Sequence, residues 1–209
     1  MSRLPQDLEA RLAAAAPAGV EFSAETDSYG VTVAWCGLAA AADLSPVAAL
    51  LKDLGARLSM ITCTMPSAPE EEEEDEDDDD SEDGEEKAEA APKETPKSFG
   101  GTPLDGTSYE IDYHFDIAGD ALTVIAYVPQ GGGIPSLTPL FRNADWHERE
   151  MMELYAVAVT GHPDPRRLFL DASVDGAVLE RLVPFSTLVN AASTKGLWER
   201  LLAGKKGAA

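Results

Sequence analysis

The 209-residue sequence predicts an α+β fold, a two-layer sandwich on a mixed five-stranded sheet. Three observations predict it. Elements follow in the order helix, two strands, helix, three strands. The strands alternate apolar and polar residues, which gives each a buried face. A helix between the second and third strands requires a crossover onto one shared sheet. A further helix and an extended C-terminal tail complete the expected architecture.

Residues 5–16 (PQDLEARLAAAA) read as the first helix, with Pro5 early, Leu8 and Leu12 one turn apart, and Ala18-Gly19 as its end. Val20–Phe22 and Tyr29–Cys36 form a strand pair, the second (YGVTVAWC) with Val31, Val33 and Trp35 on one face. Ser45 is a suitable N-cap and Pro46 suits the first helical position of a helix running to Leu54 before Gly55. Arg57–Thr64 is the third strand, alternating through Leu58, Met60 and Thr62. Tyr109–Ile117 is the fourth, where Tyr109, Ile111, Tyr113, Phe115 and Ile117 alternate with polar residues. Gly119-Asp120 marks a tight turn, and Leu122–Val128 returns as a more buried fifth strand.

Charge divides the chain sharply. Of 38 acidic and 16 basic residues, 17 acidic and 3 basic fall within residues 70–97, a net of −14 against −22 for the whole. Residues 66–103 contain almost no apolar side chains and cannot bury enough surface to offset ordering entropy. They are expected to be a disordered acidic insertion between the third and fourth strands, where a long connection is thermodynamically cheap. The expected organisation is therefore residues 1–65 and 104–170 as two parts of one α+β domain, 66–103 as the insertion, and 171–209 as a tail for partner contact.

The same arithmetic excludes function classes. A polyanion would be repelled, so no nucleic-acid partner is expected. Two distant cysteines, Cys36 and Cys63, do not make a disulfide framework. The first residues carry charges where a secretory leader needs an apolar core. Three glycines and three prolines break the uncharged stretch 121–141, so it is not expected to span a bilayer. A cytoplasmic chain, at a membrane only through partners, is the expectation.

Residues 134–170 hold the most information. Asp145 is a good N-cap for a helix, with Glu148 completing a capping box. Trp146, Glu150 and Leu154 then share a helical face, so a partly buried Glu150 would require a cation from Arg149, Arg166 or Arg167. His147-Glu148 begins like a zinc-protease HExxH, but the second histidine position is Met151. The Gly131–Gly133 triplet lacks the GK[ST] of a phosphate loop, and no G-x-S-x-G elbow occurs. Gly161–Pro165 reads as a turn in which His162 caps or packs locally. No catalytic constellation is present, and neither a metal nor a cofactor site is expected on this chain.

The stretch SLTPLFRNADWHEREMMELYAVAVTGHPDPRRLFL resembles the signature of the 30 kDa subunit family of complex I, shared with energy-converting membrane-bound NiFe hydrogenases and formate hydrogenlyases. The matching positions are the Ala144–Leu154 helix pattern with Trp146, Glu148, Arg149 and Glu150, and the turn with Gly161, His162, Pro163, Asp164, Arg166 and Arg167. Glu153, Ala156 and Pro165 depart from the family's usual Asp, Gly and Leu. A P-L-R-K-D-F-like tail motif, familiar in complex I members, is missing.

The resemblance implies a non-catalytic protein that buttresses a catalytic large subunit and an iron–sulfur small subunit. The clusters, with NiFe or FMN, would be carried elsewhere in the complex. The missing tail motif favours the family's member in a membrane-bound hydrogenase, with its member in an NADH-quinone oxidoreductase, complex I, as the alternative. A free acidic binding or chaperone module is the more remote alternative. Trp146, Glu148, Arg149, Glu150, His162, Asp164, Arg166 and Arg167 are the expected interface and structural-motif residues. Outside the acidic run, nine of 13 basic residues lie beyond position 140, which makes that third attractive to a partner.

Overall fold

The computed structural model describes residues 3–66 and 95–171. The chain divides into two compact units, Met1–Leu168 and Phe169–Ala209. Only residues 169–171 of the second are described, so the expected short amphipathic end at Thr194–Leu202 lies outside the described residues.

Five strands form one mixed sheet: β1 (Val20–Thr26), β2 (Thr32–Leu38), β3 (Arg57–Thr64), β4 (Ser108–Ile117) and β5 (Asp120–Pro129). Their spatial order is β1-β2-β5-β4-β3, with β2 and β5 parallel and every other pair antiparallel. The predicted crossover is therefore real but long. The helix after β2 carries the chain past β5 and β4 to the far edge, where β3 pairs with β4. Helices α1 (Leu8–Ala15) and α2 (Leu44–Asp53) bury Leu8, Leu12, Leu44, Val47 and Leu51 in one core with the inward residues of the sheet. Each such side chain contributes about 1.5–3 kcal/mol through removal from water.

Several expected boundaries move, for local reasons. The Asp27 carboxylate accepts the Tyr29 and Val31 N–H groups, which curls residues 27–31 into the hairpin and starts β2 at Thr32. The alternation in β2 holds, with Val33 and Trp35 on one face, and that face is the outward one: Thr32, Ala34, Cys36 and Leu38 are the buried set. A 3₁₀ turn, Ala41–Asp43, leads into α2, so Ser45 lies inside the helix and does not cap it. The Asp43 carboxylate instead accepts the Ala18 N–H, tying the end of α1 to the start of α2.

The β4–β5 turn falls at Ala118-Gly119, both at positive φ, one residue earlier than expected. Asp120 therefore opens β5, where its buried carboxylate accepts N–H groups from Thr32, Arg3 and Leu4.

Part of the expected insertion is structured. Of the segment expected to be a disordered insertion, residues 67–94 lie outside the described residues, whereas 95–103 form a small loop. Lys97 bridges to Pro103, Ser98 is buried, and Phe99 lies over Gly37 at the end of β2. Phe99 is the one aromatic of that segment, and its packing on backbone supplies the apolar contact that composition alone does not reveal.

Two short strands, β6 (Gly133–Pro135) and β7 (Ala158–Thr160), pair in parallel beside the main sheet. Gly133 permits their approach, since a Cβ there would sit 3.0 Å from the Ala158 carbonyl oxygen. Helix α3 (Ala144–Leu154) lies between them in sequence and ends with Ala156 at φ +52. That left-handed residue lets the Val157 N–H turn back toward the Met151 carbonyl, a position usually taken by glycine. Ala156→Gly should therefore stabilise the fold by about 1 kcal/mol, read as a higher denaturation midpoint at constant slope. A lower midpoint would contradict it.

Candidate functional site

The structure gathers the motif residues along α3 and the turn after β7, but divides them differently from the expectation. Helix α3 begins at Ala144, with Asn143 in the cap position donating its Nδ2–H to the Leu58 carbonyl on β3. Asp145 makes no cap, and Glu148 does not reach back to complete a capping box. Nor is Glu150 the buried carboxylate. It is half-buried, and its expected apolar neighbours Trp146 and Leu154 are 68% and 39% exposed.

Glu148 is the buried one, with no exposed surface. Its Oε2 accepts from Ser136 Oγ at 2.6 Å and from Thr138 Oγ1 at 2.8 Å, while Oε1 accepts the Leu137 N–H at 2.5 Å. No arginine is needed to neutralise the site, because three short hydrogen bonds solvate the carboxylate. Ser136 and Thr138 did not register as site residues in the sequence. Their signal was two hydroxyls flanking Leu137 in an otherwise apolar run.

His162 closes over this carboxylate. Its side chain is 1% exposed, and its Nδ1 accepts the Asp164 N–H at 3.0 Å, which leaves the ring proton on Nε2. Nε2 faces Asp145 Oδ1 at 3.4 Å and Glu148 Oε2 at 3.6 Å. The histidine is thus fixed by its own turn and packed beside two carboxylates of α3, with no hydrogen bond made by Nε2. Tyr113 of β4 is fully buried, and its phenol is pushed well above the usual range, first by burial and then by the Glu148 and Cys63 charges.

Arg149 spans the outside of the same junction. Its Nε and Nη2 donate to the carbonyls of Arg166 and Arg167, both at 2.7 Å. It serves as a clamp on the turn backbone and does not partner Glu150. Glu153 of α3 accepts the Leu168 N–H, extending that clamp. Arg166 binds Asp164 through Nε and Nη2, on a side chain 80% exposed. That hydrogen bond holds the Asp164 carboxyl at about 2. Arg167 is also exposed.

The eight motif residues therefore form two layers. Glu148 and His162 are internal, Arg149 and Asp164 shape the turn with Glu150 half-buried on α3, and Trp146, Arg166 and Arg167 are presented outward. Among the described residues, no group of three or more His, Cys, Asp or Glu is placed to hold a metal. Burial pushes both thiols, Cys36 and Cys63, up to about 12, which makes them poor nucleophiles near neutral pH. The arrangement is suited to holding shape.

Two outcomes test this geometry. Glu148→Gln should cost about 1–3 kcal/mol and Glu148→Ala about 3–5 kcal/mol in denaturant unfolding, because the latter strands three donors. A cost below 0.5 kcal/mol for both, roughly that of an ordinary surface change, would contradict its internal role. The depressed Asp164 carboxyl contributes stability in full above its ordinary value of 3.8, and loses it as pH falls through about 2. An NMR titration of Asp164 with a midpoint near 4 would contradict the Arg166 contact.

Residues 38–187 match the family described as the respiratory-chain NADH dehydrogenase 30 kDa subunit. An NADH-quinone oxidoreductase subunit of Rhodopseudomonas palustris (strain TIE-1) is 39% identical over 83 residues, which are 39% of this chain and 41% of that one. The mitochondrial NADH-ubiquinone oxidoreductase 30.4 kDa subunit of Neurospora crassa is 40% identical over 65 residues, 31% of this chain and 23% of that one. The chain thus spans under half the length of these curated relatives. A solved trypsin-resistant fragment of Nqo5 matches 76% of this chain and 99% of its own length, at 20% identity and a TM-score of 0.46.

Proposed function

The chain belongs to the respiratory-chain NADH dehydrogenase 30 kDa subunit family, and on that premise we propose that it serves as the 30 kDa-type subunit of an NADH-quinone oxidoreductase. In this reading it is a non-catalytic part of the hydrophilic arm that buttresses a catalytic large subunit and an iron–sulfur small subunit. It reaches the cytoplasmic side of the membrane only through them. No helix among the described residues is long and apolar enough to cross a membrane, which is compatible with that placement. FMN and the iron–sulfur clusters are carried by the partners.

The observation that carries the reading is the two-layered junction of α3 and its turn. Internal polar groups lock the junction, while Trp146 and Arg166 project from it with most of their surface exposed. A large aromatic beside arginines on a rigid frame is the composition of an interface hot spot. Residues 1–65 and 104–170 act in this reading as one interrupted domain, with residues 171–209 as a tail reaching the partners.

The relatives' names support the NADH-quinone assignment over the hydrogenase branch that the missing tail motif favours. The equivalent peripheral position in a membrane-bound NiFe hydrogenase keeps that one observation as a second reading.

Trp146→Ala and Arg166→Ala should leave the melting temperature of the full chain within about 2 °C, since both side chains are exposed. Each should weaken co-purification with the large and iron–sulfur subunits about tenfold or more. Unchanged assembly with both variants would overturn the interface. Membranes lacking this chain should lose NADH–quinone activity; loss of hydrogen-linked activity instead would select the hydrogenase reading.

A further inference from the structure

The helices cover one face of the sheet, and the opposite face is open among the described residues. An open antiparallel face is ordinarily polar. This one is ordered differently from strand to strand. Its two inner neighbours, β2 and β5, turn Val33, Trp35, Ile125 and Tyr127 outward, and Phe99 extends the patch over Gly37. Trp35 is 38% exposed, and Met60 on β3 is 45% exposed.

The strands on either side bring the charge. On β1, Glu21 and Glu25 stand opposite Gly37 and Val33. On β4, Glu110, Asp112 and Asp116 stand opposite Tyr127, Ile125 and Ala121. The cations on the same face are Arg57, opposite Asp116, and His114 when protonated, opposite Met60. An apolar centre with a charged rim is the anatomy of a protein interface, and isolated exposed apolar residues would not sort themselves by strand.

One rim group is only partly hydrogen-bonded within the chain. Asp112 Oδ2 accepts from Thr62 Oγ1, but Oδ1 is buried and has no hydrogen-bond donor. Burial, and next the Glu110 charge, raise its carboxyl above the usual range, so an added cation would be stabilising there.

We propose that this open sheet face is a second docking surface, separate from α3 and its turn, for a protein partner with an apolar contact patch ringed by Lys and Arg. Charge complementarity selects that occupant. The acidic rim repels a phosphate-bearing surface, and it repels a second copy presenting the same face. The inference rests on the reading of this chain as part of a larger complex, because it requires a protein partner.

The test compares hydroxyl-radical oxidation of Trp35 and Met60 in the isolated full chain and in the assembled membrane complex. Both side chains should oxidise in the isolated chain and be protected several-fold in the complex. The paired reversal Glu21→Lys with Glu25→Lys, both exposed on the edge strand β1, should weaken co-purification about tenfold or more and restore oxidation, while the melting temperature is kept. Equal oxidation in both states with normal co-purification would overturn the second surface and leave the proposed membership of the complex intact. Protection already present in the isolated chain would also overturn it, since this chain itself would then be the occupant. Failure of the wild-type chain to co-purify at all would remove that membership and this surface with it.

Discussion

A carboxylate with no exposed surface costs several kcal/mol unless the protein replaces its water, and at Glu148 it does so with three donors from one short loop. Much of the C-terminal half of the described fold depends on that substitution. The loop at 136–138 follows β6 directly, so the carboxylate of α3 also sets where β6 lies. β6 pairs with β7, and β7 leads into the turn that returns His162 to Glu148. The circuit closes on itself: helix to loop, loop to strand, strand to turn, turn to helix. Such a circuit couples its members, because removing one loosens the positioning of its neighbours.

A second internal carboxylate has a comparable role at the other end of the fold. Asp120 collects N–H groups from the N-terminal segment and from the start of β2, where the parallel pair of β2 and β5 begins. In both places a short acidic side chain satisfies backbone donors that secondary structure leaves over. Among the described residues, carboxylates therefore have two physically different roles. A few are structural acceptors inside, and exposed ones act through field and solvation.

Much of the fold could be read from the residues, and the misreadings have a common cause. Period-2 alternation in β4 identified its buried face, because aromatic and branched residues stood against charges. In β2 the same alternation set Val33 and Trp35 against Ala34 and Cys36, so size pointed outward while burial went to the smaller residues. The inner face of that strand admits small side chains, and its larger ones are left to the open face. The pairing of Glu150 with Trp146 and Leu154 misleads for a similar reason. Helical spacing put Glu150 with Trp146 and Leu154, but those apolar groups are on the outer face, and apolar spacing does not state which face is inner.

Apart from β6 and β7, which were not legible in it, the sequence by itself determined the α+β class, the order of the three helices and the five strands of the main sheet, the interruption between β3 and β4, and the motif along α3 and its turn. These depend on local periodicity, turn chemistry and composition, all of which act over a few neighbours. Only the tertiary structure decided that Glu148 is the buried charge, that hydroxyls and a backbone N–H solvate it, and that Arg149 grips carbonyl oxygens. It alone placed apolar residues of β2 and β5 between acidic strands. Those outcomes are contacts between segments far apart in the chain, and a donor's partner is set by where the backbone brings it.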